Sequence, residues 1–276
     1  MLDTFNQVAD HYTHGSLEST ILAGLEAMKD STDLADVDLL GSVDEFHIGG
    51  RPATQAMFEK LEIAPTHRVL DVGCGLGGTA RLLTTLAGCS VSGADLTPEY
   101  IEVGNSLNQK LGLDDKIDLH VANALDMPFA DASFDRATML HVGMNIADKA
   151  TLFAEIARTT KPGALCGFYD VMRTDDEPLV YPVAWAADES TSFVAPIDEY
   201  RREIEANGFE VLSIAEKADV ATKFFDAIKA RVAAGGPPPL GLHIVMGADA
   251  KIKVGNMASN VAKGSIAPVE IIARRI

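Results

Sequence analysis

The sequence predicts an α/β fold built on a doubly wound, mostly parallel seven-stranded sheet with helices on both faces. Two observations predict it. From residue 68 onward, short apolar segments rich in β-branched residues alternate with longer segments of helical period. Glycine and proline separate these segments where a chain must turn. The length of 276 residues allows one large α/β core to be buried.

The apolar segments define seven expected strands. They lie at residues 68–72, 90–94, 117–121, 134–140, 164–171, 209–214 and 269–273. Between them we expect helices at 79–87, 98–111, 148–160, 198–207 and 219–233. The helix after the second strand has the clearest start, because Thr97, Pro98 and Glu99 supply an N-cap, a first-turn proline and an early acid.

Residues 1–50 are expected to form a helical N-terminal extension ahead of a main domain at 51–276. Ser16 can cap a helix at 17–29, where apolar residues recur at helical spacing, and a second helix is expected at 52–61. Two segments, at about 174–197 and 219–265, are longer than ordinary connections, and we expect them to be insertions. The glycines and prolines at 235–239 predict an irregular turn within the second insertion.

Composition narrows the classes of function. A net charge of −17 disfavours nucleic acid and anionic membrane as partners, because both require basic patches. No apolar run approaches the ~20 residues of a membrane span, and the N-terminus lacks the pattern of a signal peptide. Cys74, Cys89 and Cys166 form neither a metal pattern nor an even disulfide set, so we expect reduced core thiols, no metal site and a cytoplasmic location.

A glycine-rich loop follows the first expected strand. Gly73, Gly75 and Gly78 match G-x-G-x-x-G, which is the dinucleotide-binding pattern of Rossmann-like folds. Asp71 argues against a pyrophosphate, since that group wants backbone N–H groups and no neighbouring carboxylate. A carboxylate instead suits S-adenosylmethionine, which presents an ammonium group. The cofactor residues expected from this loop are Asp71, Gly73, Cys74, Gly75 and Gly77.

A second acid ends the second expected strand. Asp95 stands 24 positions after Asp71, where a carboxylate can accept both hydroxyls of a ribose. The same spacing occurs in enzymes that bind NAD, so Asp95 predicts a ribose without choosing the nucleotide. Asn123, Ala124 and Leu125 follow the third strand, where small and amide residues suit the edge of an adenine.

The ordered motifs resemble the class I S-adenosylmethionine-dependent methyltransferases. They are HIGG at 47–50, DVGCGLGGTAR at 71–81, DLT at 95–97, MPF at 127–129, SFD at 133–135, HVGMNI at 141–146 and YDV at 169–171. Together they resemble the branch that holds sarcosine/dimethylglycine and phosphoethanolamine N-methyltransferases and natural-product sugar O-methyltransferases. The resemblance covers most of residues 45–215.

The resemblance implies methyl transfer from S-adenosylmethionine to a small-molecule acceptor. It adds Leu96 to the cofactor residues and makes residues 1–50 a lid over the cofactor, with the insertions covering the substrate. A histidine after the fourth strand and an aspartate after the fifth do base chemistry in similar sugar O-methyltransferases, and His141 and Asp170 stand at those positions. His141 is also expected beside the cofactor. The expected substrate contacts are Tyr12, His47, Met144, Asn145, Tyr169 and Trp185.

The acceptor stays open at this point. The first hypothesis is N-methylation of an amine such as sarcosine or dimethylglycine, because a neutral amine needs no strong base. The alternative is O-methylation of a natural product or sugar, with His141 as the general base. An NAD-dependent reductase and a non-catalytic nucleotide-binding module remain as alternatives from other classes, and a homodimer is left open.

Overall fold

The computed structural model describes residues 2–28, 37–236 and 238–276. It contains one seven-stranded sheet in the order β3-β2-β1-β4-β5-β7-β6. Only β7 runs antiparallel to its neighbours, so the predicted doubly wound, mostly parallel sheet is confirmed. The strands are β1 (Arg68–Val72), β2 (Ser90–Asp95), β3 (Ile117–Val121), β4 (Phe134–Leu140), β5 (Thr160–Arg173), β6 (Phe209–Glu216) and β7 (Ile266–Arg275).

Eleven α-helices surround the sheet in the described part of the chain. Asp148 caps one of them by accepting the N–H of Thr151 at 2.9 Å. They are α1 (Leu2–Tyr12), α2 (Leu17–Ala27), α3 (Val37–Asp44), α4 (Gly50–Leu61), α5 (Gly78–Ala87), α6 (Pro98–Lys110), α7 (Lys149–Thr159), α8 (Ile197–Ala206), α9 (Ala218–Gly235), α10 (His243–Met246) and α11 (Ala250–Lys263).

Several element boundaries differ from expectation, and the helix α11 was not expected. Residues 160–163, predicted as the end of a helix and a turn, belong to β5, because Thr160 pairs with Phe134 through an irregular step in the ladder. The helix expected at 17–29 ends at Ala27, and Lys29 lies outside the described residues, as does Pro237 of the turn expected at 235–239. The sequence pattern did not indicate α11, whose buried positions include the polar Lys253 and Asn260.

The N-terminal helices pack against the helices that flank β1 and β2. Leu17 and Ile21 of α2 and Val43 of α3 are buried with Tyr100 and Leu107 of α6. An ion pair buries Asp44 of α3 against Arg81 of α5, with Nη2 and Oδ1 2.5 Å apart and exposed fractions of 1% and 0%. Residues 37–44 are therefore fixed above the start of α5.

The two insertions lie at the same end of the sheet. Residues between β5 and α8 and the helices α9 to α11 share one buried cluster that contains Trp185, Phe225, Met246 and Met257. All three cysteines are buried and free, as predicted. Among the described residues, no helix combines the length and apolarity that a membrane span requires.

Candidate active site

The sheet reverses its strand order between β1 and β4, and a large cavity opens at the carboxyl ends of these strands. In open α/β sheets, ligands bind at this switch point. The cavity has a volume of about 1080 Å³. Single-ligand pockets usually span ~300–1,000 Å³, so this one can hold a nucleotide-sized molecule and a second ligand together.

The glycine loop after β1 forms one wall of the cavity. Gly73 and Gly75 have φ angles of 67° and 53°, in the left-handed region that favours glycine. A Cβ at Gly73 would overlap the side chain of Val142 after β4. Gly73, Cys74 and Gly75 line the cavity, whereas Gly77 does not: it is the left-handed N-cap of α5.

Asp71 is a buried carboxyl group with one oxygen left for a ligand. Its Oδ1 accepts the hydroxyl of Thr138 at 2.9 Å, and its Oδ2 has no partner in the described structure. Burial raises the pKa of Asp71 to about 7, and the negative charges of Asp95 and Glu45 act in the same direction. A bound ammonium group would supply the missing partner and stabilise the ionised form.

Asp95 occupies the adjacent strand end. Its Oδ2 accepts the N–H of Gly75 at 2.9 Å, and its Oδ1 accepts the N–H of Thr97 at 2.8 Å. These bonds fix the orientation of the carboxylate, although burial still raises its pKa. Each oxygen keeps a further lone pair, so a pair of vicinal hydroxyls can be bound. Leu96 lines the same wall.

The turn after β3 contributes two of its three expected residues. Asn123 and Ala124 line the cavity. Leu125 does not, because its side chain packs into the core below the sheet end. Its N–H donates to Asn123 Oδ1 at 2.9 Å, so Leu125 helps to hold the turn in place.

His141 lies directly after β4 and lines the cavity with 9% of its surface exposed. Its φ is 54°, and its N–H donates to the carbonyl of Tyr169 at 2.7 Å. Its Nε2 lies 3.3 Å from the N–H of Ile48, and Nδ1 is a buried atom with no partner in the described structure. Burial, reinforced by His47, lowers the pKa of His141 well below the usual value, so the ring is neutral.

The structure corrects the expectation for Asp170. Its side chain is fully buried and does not line the cavity. Its Oδ2 accepts the hydroxyl of Tyr200 at 2.6 Å, and its Oδ1 accepts the N–H of Val171 at 2.9 Å. Successive side chains of a strand point to opposite faces. Tyr169 faces His141, so Asp170 faces α8 on the other side of the sheet.

Most of the expected substrate residues meet at the cavity. Tyr12, His47, Met144, Asn145 and Trp185 all line it. The Tyr12 hydroxyl donates to Asn145 Oδ1 at 3.3 Å, which joins α1 to the loop after β4. Trp185 is buried and donates its Nε1–H to Ser192 Oγ at 2.9 Å.

Tyr169 is the exception among them. It lies behind the wall, with its ring centroid 5.3 Å from that of His141 and 5.9 Å from that of His47. His47 Nε2 is 2.8 Å from Oε2 of the buried Glu45, and Thr54 Oγ1 donates to the same carboxylate at 2.7 Å. These contacts hold the segment 45–48 against His141.

The sequence analysis missed two polar residues at the cofactor end. In the described structure, seven buried side-chain polar atoms have no hydrogen-bond partner, and four of them belong to residues that line this cavity. Besides Asp71 Oδ2 and His141 Nδ1, these are Ser42 Oγ of α3 and the Tyr100 hydroxyl of α6. Buried polar groups are almost always paired, so the four atoms indicate a polar ligand.

The other end of the cavity is mainly apolar, and almost none of its residues could be named from the sequence. Its walls come from α1, the segment around Trp185 and the helices α9 to α11. The apolar residues that these elements place at the cavity include Val8, Phe224, Phe225, Ile228, Met246, Val254, Met257 and Val261. No local motif marks them, because they come from segments that are distant in the chain.

Comparisons with known proteins agree with this fold and site. Residues 70–168 match the family described as "Methyltransferase domain". Methyltransferase GfsG of Streptomyces halstedii is 28% identical over 181 residues, which cover 64% of this chain and 65% of GfsG. The chain thus matches somewhat less than two thirds of that relative.

Solved structures show the same architecture. Geranyl diphosphate C-methyltransferase from Streptomyces coelicolor A3(2), in complex with S-adenosyl-L-homocysteine, superposes with a TM-score of 0.66 at 20% identity, covering 82% of this chain and 79% of that one. A putative sarcosine dimethylglycine methyltransferase from Galdieria sulphuraria gives a TM-score of 0.64 at 20% identity, covering 80% and 83%.

The fold and the strand-end residues are those expected of a class I methyltransferase. The chain carries an S-adenosylmethionine-dependent methyltransferase domain of this class, so the predicted class, fold and cofactor are confirmed. Methyltransferases of the C-, N- and O-type stand among the similar proteins, so the comparisons leave the acceptor atom open.

Proposed function

We propose that this protein transfers a methyl group from S-adenosylmethionine to an oxygen atom of a largely apolar acceptor of natural-product size. A single cavity that joins the polar strand ends to a mainly apolar chamber formed by α1 and α9 to α11 supports the apolar acceptor. His141 lines this cavity, and its Nδ1, which has no partner in the described structure, supports oxygen as the methylated atom. S-adenosylmethionine supplies an electrophilic methyl group on its sulfonium. The chain's own residues then have to bind the donor and the acceptor, orient them and exclude water.

The cofactor end fits that donor. Asp71 Oδ2 is the unpartnered oxygen for the ammonium group, and Asp95 offers both oxygens to the ribose hydroxyls. Asn123 and Ala124 line the cavity after β3, and we assign them to the adenine edge; glycine in the loop lets backbone approach the ligand. The hydroxyls of Ser42 and Tyr100 are two further donors for this ligand's polar groups.

Positioning supplies much of the rate of such a displacement, because acceptor atom, methyl carbon and sulfur must be collinear. Met144, Asn145 and His141 follow β4 and stand between the cofactor end and the apolar chamber. The buried segment 45–48 closes the same region from the N-terminal side. These residues exclude water from the reacting atoms.

N-methylation of sarcosine or dimethylglycine receives less support from the cavity. Such acceptors are small zwitterions, which need a cation for their carboxylate close to the methyl donor. The chamber next to Met144 and His141 is instead lined mainly by apolar side chains such as Phe225, Met246 and Met257. The cations that line the cavity on α9 and α11, Lys229, Arg231 and Lys251, are solvent-exposed. Burying the carboxylate of such an acceptor against the apolar side chains, away from the positive sulfonium that the reacting atom itself faces, is costly.

An assay of S-adenosylhomocysteine release tests the proposal. The panel pairs apolar phenols, alcohols and carboxylic acids, for example 1-naphthol and 1-naphthoate, with sarcosine, dimethylglycine and ethanolamine. We expect turnover with apolar oxygen acceptors and none with the small amines. Activity confined to the small amines would overturn the proposal.

A further inference from the structure

The tautomer of His141 determines which kind of oxygen the site accepts. The backbone N–H of Ile48 points at Nε2 across 3.3 Å. Because Ile48 N–H is a donor, Nε2 must be the unprotonated, accepting nitrogen. A neutral imidazole carries one proton, which then resides on Nδ1.

Nδ1–H is the group left for a ligand. It is buried and has no partner in the described structure, and His141 lines the cavity beside Met144 and Asn145. An unsatisfied buried donor costs about 1–3 kcal/mol, so a ligand atom that accepts this hydrogen is favoured. The left-handed backbone of His141 and its N–H bond to Tyr169 limit how far the ring can move away.

A general base would need the opposite tautomer. To accept a proton from the acceptor, Nδ1 must be bare, and the ring proton would then stand on Nε2. Two donors, Nε2–H and the N–H of Ile48, would face each other at 3.3 Å. The segment that carries Ile48 is held by the contacts of His47 with Glu45 and Thr54, so it does not easily retreat.

We propose that His141 donates its Nδ1–H to the reacting oxygen, and that the acceptor is an oxygen nucleophile already ionised when it binds, such as a carboxylate or a phenolate. This inference rests on the methyl transfer proposed above and narrows its acceptor class. A neutral amine has one lone pair, which must attack the methyl carbon and cannot also accept a hydrogen bond. An ionised oxygen has three lone pairs and can do both.

The reaction balances without a base. The bond between oxygen and the methyl carbon forms while the carbon–sulfur bond breaks, and that electron pair stays on sulfur. The negative charge of the oxygen and the positive charge of the sulfonium cancel, so no proton is transferred. His141 orients one lone pair of the oxygen, and another faces the methyl group.

The tautomer can be measured without knowing the acceptor. Two-bond ¹H–¹⁵N NMR of enzyme labelled at histidine and saturated with S-adenosylhomocysteine distinguishes the two neutral forms and the cation. The spectrum of His141→Asn assigns the His141 signals by their loss. We expect the Nδ1–H form at pH 7.5. An Nε2–H ring or an imidazolium would overturn the proposal.

Two variants add a kinetic readout with the best oxygen acceptor of the panel. His141→Asn keeps an N–H donor near the position of Nδ1 and cannot act as a base, and asparagine tolerates the left-handed backbone. His141→Ala removes the donor. We expect kcat within about tenfold of wild type for the Asn variant. For the Ala variant we expect kcat about 10–100-fold lower, the loss that corresponds to one hydrogen bond to a charged group.

Equal losses in the two variants would contradict the donor role, provided that both bind S-adenosylhomocysteine like wild type. Turnover of neutral amines that falls in both His141 variants would contradict the donor role as well. The two proposals fail separately. Absence of methyl transfer to every oxygen acceptor would overturn the proposed function, while the NMR spectrum would still report the tautomer.

Discussion

The two ends of the cavity are built in different ways. At the cofactor end, carboxylates such as Asp95 are fixed by backbone N–H groups of the neighbouring loops, and the walls come from consecutive strands. At the acceptor end, mainly apolar side chains of α1, α9, α10 and α11 form the wall, and the charged residues of these helices that line it, such as Lys229 and Lys251, are exposed. One end is specific for a single ligand, and the other is shaped by packing alone.

The two ends therefore contribute differently to ligand specificity. Polar sites require fixed donors and acceptors at hydrogen-bond distance, so few sequences can form them. An apolar chamber tolerates exchange of one hydrophobic side chain for another of similar volume. We therefore expect changes at the cofactor end to affect ligand affinity or stability, and changes at the acceptor end to affect the choice of acceptor.

The largest expected effect comes from the ion pair that fixes α3 above the cofactor end. Arg81→Met leaves the carboxylate of Asp44 buried without its partner, and breaking such a pair costs about 3–5 kcal/mol. Denaturant unfolding measures the loss. Arg202→Met, in the exposed pair with Glu203, is the control and should change the free energy of unfolding by about 0–1 kcal/mol. Equal effects of the two variants would contradict a structural role for the buried pair.

The next largest expected effect is a loss of ligand affinity on substitution of Asp71. Asp71→Asn removes the charge proposed to bind the ammonium group. A hydrogen bond to a charged group contributes about 1.5–3 kcal/mol, so the affinity for S-adenosylhomocysteine should fall about 10–100-fold by calorimetry at pH 8. Thr138→Val, which removes only the partner of Oδ1, is the control and should have the smaller effect.

The same residue predicts a pH dependence. The pKa of Asp71 without ligand is about 7, above that of an unfolded aspartate, so between pH ~4 and 7 the folded state holds more protons. Its contribution to stability is full below pH ~4 and is lost as the pH rises through 7. We expect the Tm of ligand-free wild type to fall over that window more than the Tm of Asp71→Asn, and parallel curves would contradict the raised pKa.

At the acceptor end, a bulky residue should block the chamber and leave the cofactor site intact. Val254→Trp places an indole in the cavity. Forcing extra volume into a packed space costs about 1–3 kcal/mol, and if the transition state with a large acceptor bears this cost, kcat/KM falls roughly 10–100-fold. The affinity for S-adenosylhomocysteine should stay unchanged. Ile252→Trp is the matched control, because Ile252 is 54% exposed on the same helix. A similar loss in both variants would mean that the chamber is not the acceptor site.

The smallest effect tests the placement of Asp170. Tyr200→Phe removes the hydroxyl that donates to Asp170 Oδ2, and losing one hydrogen bond costs about 1 kcal/mol of stability. Since neither side chain lines the cavity, kcat and the affinity for S-adenosylhomocysteine should not change. A selective loss of kcat with unaltered Tm would indicate that Asp170 takes part in the reaction.

The sequence predicts the cofactor end well, because local rules determine it. β1, β3 and β4 begin and end where the apolar runs do, and Asp71 and Asp95 follow from their positions near the ends of the first two strands. The expectation for Asp170 came from the resemblance to sugar O-methyltransferases, which matches positions along the chain and not the faces of a strand. Tyr169 and Asp170 point to opposite faces of the sheet, and only the register of β5 shows which face meets the cavity.

The acceptor end could not be predicted in the same way. α11 carries buried Lys253 and Asn260, which interrupt its apolar period, and the polar side chains find carbonyl partners that only the folded chain provides. Ser42 and Tyr100 themselves lie outside the motifs of the sequence, and their role depends on the absence of nearby partners in the described structure. Such features arise from tertiary packing.

The most direct test of the central claim identifies the atom that receives the methyl group. The enzyme is incubated with S-adenosylmethionine ¹³C-labelled at the methyl group and a metabolite extract of cells that carry its gene, and the product is examined by ¹³C NMR. We expect an O–¹³CH₃ signal in a product that partitions into organic solvent. An N–¹³CH₃ signal in the aqueous fraction, with no O-methyl product, would contradict the account.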